Sequence, residues 1–176
     1  MHFAYVTTTD KTDRGATDRL LTEVAIRALR RGLHLSGVVQ TNTPRPKSHH
    51  CDMDVRVLPD GPVIRISQDL GPNARGCALN PEALERAVHA VAPTLTDRTD
   101  LLIVNKFGKH EAEGRGFRET IAQALALDVP VLVGLNALNA PAFDAFTGGE
   151  GVGLAHTLES VETWLGQAAM PRRAAG

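Results

Sequence analysis

The sequence predicts an α/β domain of three layers, in which helices cover both faces of a mainly parallel sheet. Residues 101–104 and 129–135 form apolar runs that are short and rich in branched side chains, which is typical of strands buried on both faces of a parallel sheet. The chain opens as a strand, a helix and a second strand, the order of a βαβ unit. Residues 51–58 and 63–67 alternate between polar and apolar side chains, and this pattern predicts an antiparallel β-hairpin inserted into the sheet.

The first half of the chain supplies the opening unit and its loops. Phe3–Val6 is an apolar strand, and apolar residues then recur at helical spacing behind Thr17 or Asp18, either of which is the predicted N-cap. The second strand covers residues 35–40. Residues 41–50 contain two prolines and no apolar periodicity, so we expect an exposed loop there.

The second half of the chain adds helices and the remaining strands. Asn80 is the predicted cap of a helix that begins at the following proline. Residues 117–127 and 156–165 have the apolar spacing of helices. Residues 142–146 predict a short helical turn, and the glycine-rich residues 148–153 predict a loop tip.

Composition and charge narrow the classes of function. The chain has 176 residues and a formal net charge of −1, so its size suits one domain and its charge gives no general attraction to nucleic acid or membranes. Aromatic residues make up 4% of the chain, too few for base-stacking platforms. No apolar run approaches the roughly 20 residues of a membrane helix, and the amino terminus lacks the pattern of a signal peptide. We therefore expect a cytoplasmic protein with a single domain over residues 1–168 and a disordered tail over residues 169–176.

Polar residues follow the central apolar strand, and they mark the predicted functional edge. Ligands of open α/β sheets bind beside the carboxyl ends of the strands. Lys106, Lys109 and Arg115 could form an anion pocket there, together with the amino end of the first helix. The alternative is that Lys106 pairs with Glu111 or Glu113 and only stiffens the loop.

Acidic and imidazole groups in the same stretch offer an enzymatic alternative. Glu111 or Glu113 could serve acid–base chemistry in a phosphate-group hydrolase, and His110 could act as a general base. A charged and solvated loop explains the same residues without catalysis.

Two loops could complete an anion site. The hydroxyl groups of residues 7–12, and the lysine among them, lie at the head of the first helix, although a threonine-rich capping loop has the same composition. The glycine-flanked residues 71–76 could carry an arginine toward an anion, or could simply connect two elements. The predicted ligand-binding residues of the edge and of both loops are Thr7, Thr8, Thr9, Lys11, Thr12, Arg75, Asn105, Lys106, Lys109 and Arg115.

Cysteine and histidine residues around the hairpin are the candidates for metal binding. Cys51 and Cys77 could converge through the hairpin, with His50 as a third ligand. The spacing lacks the paired C-x-x-C or H-x-x-x-H pattern of zinc sites, so small thiols beside a solvated histidine explain the same residues. The sequence therefore predicts no metal site.

The order of elements resembles the small P-loop nucleoside triphosphatases known from thermophiles and from man. In that family, a strand ending in Asp-Glu is followed by the pattern I-G-x-M-E and then by Gly-Phe. Here residues 104–111 read VNKFGKHE, in which Gly108 and Glu111 match, and residues 116–117 supply the Gly-Phe pair. The resemblance spans residues 3–147 and implies a P-loop NTPase-like fold.

The chain is also similar to a bacterial family, the domain of unknown function 2478. Its pattern is carried here by CDMD at residues 51–54, ISQDLG at residues 66–71, Gly-Cys at residues 76–77 and NKFGKHEAEGRGF at residues 105–117. Such proteins tend to be encoded near molybdate transport, so this resemblance implies a role linked to molybdenum.

The chain departs from the nucleotidase pattern at both catalytic motifs. A P-loop reads G-x-x-x-x-G-K-[ST], whereas the loop here holds Lys11 and Thr12 and has no glycine before Gly15. Asn105 and Lys106 stand where Asp-Glu would hold Mg²⁺. These departures, with the molybdenum link, predict a non-hydrolytic binding or accessory protein whose ligand is a small oxyanion such as molybdate.

Two other functions stay open at this point. A divergent Mg²⁺-dependent nucleoside triphosphatase would take a nucleotide with Mg²⁺ as its ligand, and a Cys/His protein would bind a metal ion. The apolar face of the hairpin could also support a homodimer.

Overall fold

A seven-stranded sheet organises the residues that the computed structural model describes, which are 2–8, 12–13, 15–45, 51–69 and 79–173. Most of its strands coincide with the apolar and alternating runs of the sequence, because such runs bury one or both faces against helices. The strands are β1 (Phe3–Val6), β2 (Leu35–Pro44), β3 (Cys51–Val57), β4 (Val63–Arg65), β5 (Leu101–Phe107), β6 (Val131–Leu135) and β7 (Val152–Leu154).

The strands lie in the order β4-β3-β2-β5-β6-β1-β7, which places β5 at the centre. β2, β5, β6, β1 and β7 run parallel, while β3 and β4 add an antiparallel hairpin beside β2. The mainly parallel sheet and the inserted hairpin predicted by the sequence are confirmed. Because the parallel strands share one direction, the carboxyl ends of β2, β5, β6 and β1 meet at the same edge.

Helices cover both faces of the sheet, in agreement with the three-layer prediction. They are α1 (Ala16–Arg30), α2 (Pro81–Val91), α3 (Lys109–Ala112), α4 (Arg118–Ala126), α5 (Ala140–Thr147) and α6 (Leu158–Arg173). α1 and α6 pack on one face, where Val24 and Trp164 join the same buried cluster as Ile103 of β5. α2, α4 and α5 pack on the other face, where Leu84 joins Val104 of β5. Successive side chains of β5 therefore pack into the two cores on opposite faces of the sheet, because side chains alternate along a strand.

Two segments predicted as loops contain strands instead. β2 continues to Pro44 and pairs with β3 as far as Cys51, so the prediction of a loop from residue 41 is wrong. Pro44 stands at the last pair of this ladder, where a missing N–H group is tolerated. Residues 46–50 of that predicted loop lie outside the described residues. β7 overlaps the last two residues of the predicted loop tip and pairs with β1 through its backbone, which needs few side-chain contacts.

The ends of the first and last helices also differ from the sequence analysis. α1 begins after Gly15, and no side chain caps it, so Thr17 and Asp18 lie in its first turn and the predicted cap is wrong. Asp18 is buried against other polar groups instead. α6 continues to Arg173, past the domain limit placed at residue 168, and the domain limits stay a prediction. None of the described helices combines the length and the apolar character needed to span a membrane.

Candidate functional site

Asn105 closes a gap between two strands at the carboxyl edge of the sheet. β2 pairs with β5 only as far as Val38 and Val104. Beyond that point the backbone N–H of Gln40 donates to Asn105 Oδ1 at 3.0 Å, in place of a backbone carbonyl. Asn105 is 2% exposed, so its amide is a buried group whose remaining hydrogen bonds must also be satisfied.

Asp18 is the second partner of this buried amide. It lies in the first turn of α1, is 3% exposed, and accepts a hydrogen bond from Asn105 Nδ2 on Oδ1 at 2.8 Å. Asn42 Nδ2 donates to its other oxygen, and Lys106 Nζ lies 3.4 Å from Oδ1. A buried carboxylate needs partners of this kind. Asp18, Asn42, Asn105 and Lys106 thus form a closed set of polar groups, which we call the Asp18 network.

Lys106 does form an ion pair, but with a partner that the sequence analysis does not name. Its ammonium group pairs with Asp18. The predicted pairing of Lys106 with Glu111 or Glu113 is therefore wrong. The Lys106 side chain is 47% exposed and reaches the buried carboxylate from the solvent side. A buried carboxylate needs a cation more than an exposed one does, because water cannot solvate it.

Glu111 shapes the loop after β5. It is 3% exposed, and its carboxylate accepts hydrogen bonds from the backbone N–H groups of Gly108 at 2.9 Å and Phe117 at 3.0 Å. Gly116 donates its own N–H to Glu85 Oε1 at 3.1 Å, and a Cβ at Gly116 would lie 2.3 Å from Glu111 Oε1. The matching residues of the nucleotidase pattern, Gly108, Glu111 and the Gly116-Phe117 pair, therefore hold the loop backbone.

Lys109, Glu113 and Arg115 form an exposed charged group beside this loop. Lys109 Nζ lies 3.6 Å from Glu113 Oε1, and Arg115 donates to Glu113 Oε2. The hydrogen bond from Arg115 and the charge of Lys109 hold the pKa of the Glu113 carboxyl below its usual value. The side chains of Lys109 and Arg115 are 82% and 55% exposed, and exposed ion pairs contribute little to stability. Both cations can therefore turn to a ligand at small cost.

A cavity of about 490 Å³ lies beside the end of β5, on the face covered by α2. Its walls are mostly apolar, with Val104 of β5 below and Leu84 of α2 above. The imidazole of His110 is half buried at this cavity and makes no hydrogen bond or ion pair with another described residue. The charged or titratable side chains that line the cavity are Lys106, Lys109, His110, Glu111 and Arg115.

The threonine-rich loop begins at a different strand end. Thr7 Oγ1 donates to the backbone carbonyl of Leu135 at 2.7 Å, which ties the end of β1 to the end of β6. β6 lies between β1 and β5, so one strand separates this loop from the Asp18 network. Thr8 and Thr12 also have interaction partners. The predicted site residues Thr9, Lys11 and Arg75 lie outside the described residues.

The start of α1 packs closely on β6. A Cβ at Gly134 would lie 2.3 Å from the Asn105 carbonyl oxygen and 2.8 Å from Thr17 Cγ2, so only glycine allows this approach. Thr17 Oγ1 lies 3.1 Å from His156 Nε2. The first turn of α1 is thereby fixed between β6 and the segment before α6.

The metal candidates are only partly within the described chain. Cys51 is exposed at the start of β3, whereas His50 and Cys77 lie outside the described residues. Across the described ranges, no group of three or more His, Cys, Asp or Glu side chains is placed to hold a metal ion.

Asp18, Gln40 and Asn42 are site residues that sequence reasoning missed. Gln40 Nε2 donates to Asn42 Oδ1 at 2.7 Å and so supports the amide that binds Asp18. A signal was present, because Gln40 and Asn42 are two residues apart and thus share one face of a strand. Asp18 itself was a second signal, because it lies at the head of the helix that follows the first strand and therefore at the predicted functional edge.

Comparisons with known proteins agree with this architecture. A solved structure of a human cancer-related nucleoside triphosphatase superposes with a TM-score of 0.62 over 100% of both chains, at 13% identity, so the likeness is one of fold. The molybdenum import ATP-binding protein ModC 2 of Bradyrhizobium diazoefficiens is 36% identical over 147 residues, which are 84% of this chain. The chain spans only 16% of the length of that relative.

The family comparison covers most of the sheet and both of its helical faces. Residues 4–164 match the family described as protein of unknown function (DUF2478). Apart from Phe3 at the start of β1, the matched range includes the seven strands of the described sheet, the Asp18 network and the cavity beside β5. The chain belongs to the DUF2478 family.

Proposed function

We propose that this protein binds a small anion without hydrolysing nucleotides, and that it acts in molybdenum metabolism. The observation that carries the proposal is the Asp18 network at the carboxyl end of β5. There, Asn105 and Lys106 bond to the chain's own buried carboxylate, at the strand end where P-loop enzymes hold Mg²⁺ with an acid.

The residues at the head of α1 do not fit a nucleotide with Mg²⁺. The helix begins Gly15-Ala16-Thr17, whereas the P-loop motif enters its helix as G-K-[ST], with the lysine on the phosphates. The hydroxyl that would bind Mg²⁺ in that motif corresponds to Thr17, which contacts His156. Asp18 adds a negative charge to the first turn, where the helix dipole would otherwise attract phosphate.

The cations beside the cavity support an anion site. Lys109 and Arg115 line the cavity and share the exposed carboxylate of Glu113. Lys106 adds a third positive charge to the lining. Glu111 is the acid among the described lining residues, and both of its oxygens accept backbone N–H groups. The charge of Lys106 is paired with Asp18, so Lys109 and Arg115 are the cations that an oxyanion would bind.

The link to molybdenum is supported by the relative that is a molybdenum import ATP-binding protein. Because this chain matches only a small part of that protein, we assign it an accessory role and not the activity of the whole import protein. We keep three further expectations as parts of this proposal: a cytoplasmic location, a homodimer formed through the hairpin, and no nucleic acid partner.

Binding of molybdate, tungstate, phosphate and sulfate, followed by thermal shift and calorimetry, tests the proposal. A ligand at 100 times its Kd should stabilise the protein by about 2.7 kcal/mol. We expect molybdate or tungstate to raise the Tm, and ATP or GTP with Mg²⁺ to leave it unchanged. The double variant Lys109→Gln/Arg115→Gln should lose most of the shift, while its Tm without ligand changes little because both side chains are exposed.

A matched control removes a cation from the opposite end of the same strand. Arg98→Gln changes an exposed side chain just before β5, so it should keep the full shift. An unchanged shift in the double variant would exclude Lys109 and Arg115 as the anion site. A Tm increase with Mg²⁺ and ATP, accompanied by phosphate release, would favour the divergent nucleoside triphosphatase instead.

A further inference from the structure

We propose that the cavity beside β5 binds the apolar body of an organic anion, so that the anion site takes organic oxyanions with a ring-sized apolar part more tightly than bare inorganic oxyanions. This inference rests on the proposed function, because the same cations would bind the charged group of the ligand. It adds a second subsite, which we call the apolar chamber, and it names the chemical class of the ligand.

The size and walls of the chamber do not suit an inorganic ion. A tetrahedral oxyanion is one atom with its oxygens, and it would fill only a small part of about 490 Å³. It would also leave the apolar walls without any contact. Pockets of this volume with mostly apolar walls and a few polar groups are typical of sites for small organic ligands. The apolar walls come from Val38, Val55, Ile66, Leu84, Val104 and Phe117.

The accessible apolar surface of the chamber comes from side chains that the protein leaves partly uncovered. Met53 and Leu79 are half buried and line the cavity, whereas Val104 is 0% exposed and already packed in the core. An apolar ligand body would cover the surface that Met53 and Leu79 leave open to water, which favours binding.

The charged side chains of the lining all belong to the end of β5 and to the segment that follows it. Lys106, Lys109 and Arg115 carry exposed cationic groups there, and His110 presents a ring without a partner among the described residues. This asymmetry matches a ligand whose charged group stays at the solvent side while its apolar part enters between β5 and α2. Asn105 and Lys106 also line the cavity, but both bond to Asp18 in a network that is complete without a ligand.

Paired probes that differ only in an apolar ring test the inference. We would measure the Kd of inorganic phosphate, phenyl phosphate and 1-naphthyl phosphate by calorimetry with the full chain. Burial of one ring is expected to tighten binding roughly ten- to a hundredfold over inorganic phosphate. The double variant Lys109→Gln/Arg115→Gln should weaken all three probes, because each carries the same charged group.

A variant that fills the chamber separates its role from that of the cations. Met53 is half buried and lines the cavity, so Met53→Trp should remove the advantage of the aryl phosphates and leave the Kd of inorganic phosphate unchanged. Leu84→Phe is the second filling variant, in case the first does not fold. Val63→Trp is the matched control, because Val63 lies on the same hairpin, is 53% exposed and does not line the cavity.

The outcomes distinguish the inference from the function on which it rests. An aryl advantage that disappears in Met53→Trp or Leu84→Phe, and persists in Val63→Trp, supports the chamber. Equal Kd values for phosphate and its aryl esters, or an aryl advantage that both filling variants retain, overturn the inference and leave the anion site standing. Absence of binding by every anion, molybdate included, overturns the proposed function and the inference together.

Discussion

The two faces of β5 differ sharply at its carboxyl end. On the side of α1, the carboxylate of Asp18 accepts hydrogen bonds from Asn42 and Asn105, and Asp18 and Asn105 are buried. On the side of α2, a cavity of about 490 Å³ has apolar walls, and Lys109 and Arg115 are exposed at its edge. The first region has its polar groups satisfied internally, whereas the second has space and available charge.

This difference suggests how a nucleotidase fold can serve another ligand. The carboxylate of Asp18 takes up the donors of Asn105 and Lys106 at the head of α1, so a phosphate would have to displace it. We infer that ligand recognition lies at the cavity on the side of α2, where a charged group can be bound without displacing the buried carboxylate of Asp18. The fold is kept because the sheet and its helices are stabilised by apolar burial, which does not depend on the ligand.

The largest expected effect is the difference in stability lost when one carboxylate is removed from each region in turn. Asp18→Ala should lower the free energy of unfolding by about 3–5 kcal/mol, because it removes two hydrogen bonds to a charged acceptor and leaves the buried amide donor of Asn105 unsatisfied. Glu113→Ala removes a carboxylate that also has two cationic partners, but it is exposed and screened by water, so its loss of stability should be much smaller. Urea denaturation of both variants measures the difference. Equal losses would contradict the contrast between the two regions.

A smaller loss is expected when the contact between α1 and β6 is disturbed. Gly134→Ala should cost about 1–3 kcal/mol, because its Cβ would lie 2.3 Å from the Asn105 carbonyl oxygen. The side-chain amide resonances of Asn105 should shift in the same variant. Gly166→Ala is the control, since a Cβ at that position of α6 meets nothing within 4 Å and alanine favours the helix. A stable Gly134→Ala protein with unshifted Asn105 resonances would mean that this packing does not position the network.

The smallest effect concerns the titration of Glu113. Its folded-state pKa is lowered by the hydrogen bond from Arg115 and the charge of Lys109, so the stability it contributes is present above its unfolded pKa and is lost as the pH falls through the folded pKa. Arg115→Gln should move the Glu113 pKa back toward its ordinary value, as followed by carboxyl NMR titration. Arg98→Gln should leave it in place. An unmoved pKa in Arg115→Gln would show that the pair does not persist in solution.

The sequence predicts those strands and helices whose apolar side chains recur at the spacing of a strand or a helix. The strands β1, β5 and β6 and the hairpin follow from apolar runs and alternation, because each must bury one or both faces. β7 was missed since its glycine-rich segment is held by backbone pairing to β1 and leaves little side-chain pattern. The chamber was missed because its walls come from separate elements whose spacing the sequence does not give.

At the candidate site too, the sequence indicated residues that are neighbours along the chain but not the distant residue that they contact. Asn105 and Lys106 were recognised because they follow an apolar strand directly. Their acceptor was not, since Asp18 is 87 residues from Asn105 along the chain and was interpreted as a helix cap. The cationic residues beside the cavity were predicted as a group because α3 and its loop keep them close in sequence.

Phosphate release from ATP or GTP with Mg²⁺, measured with protein in excess over nucleotide, tests most directly whether the head of α1 has lost its phosphate chemistry. We predict no release above the protein-free blank, because Asp18 occupies the donors of Asn105 and Lys106 and no lysine enters α1. Release by the unmodified protein that disappears in Thr17→Ala would contradict this, since it would place a working phosphate site at the first turn of α1.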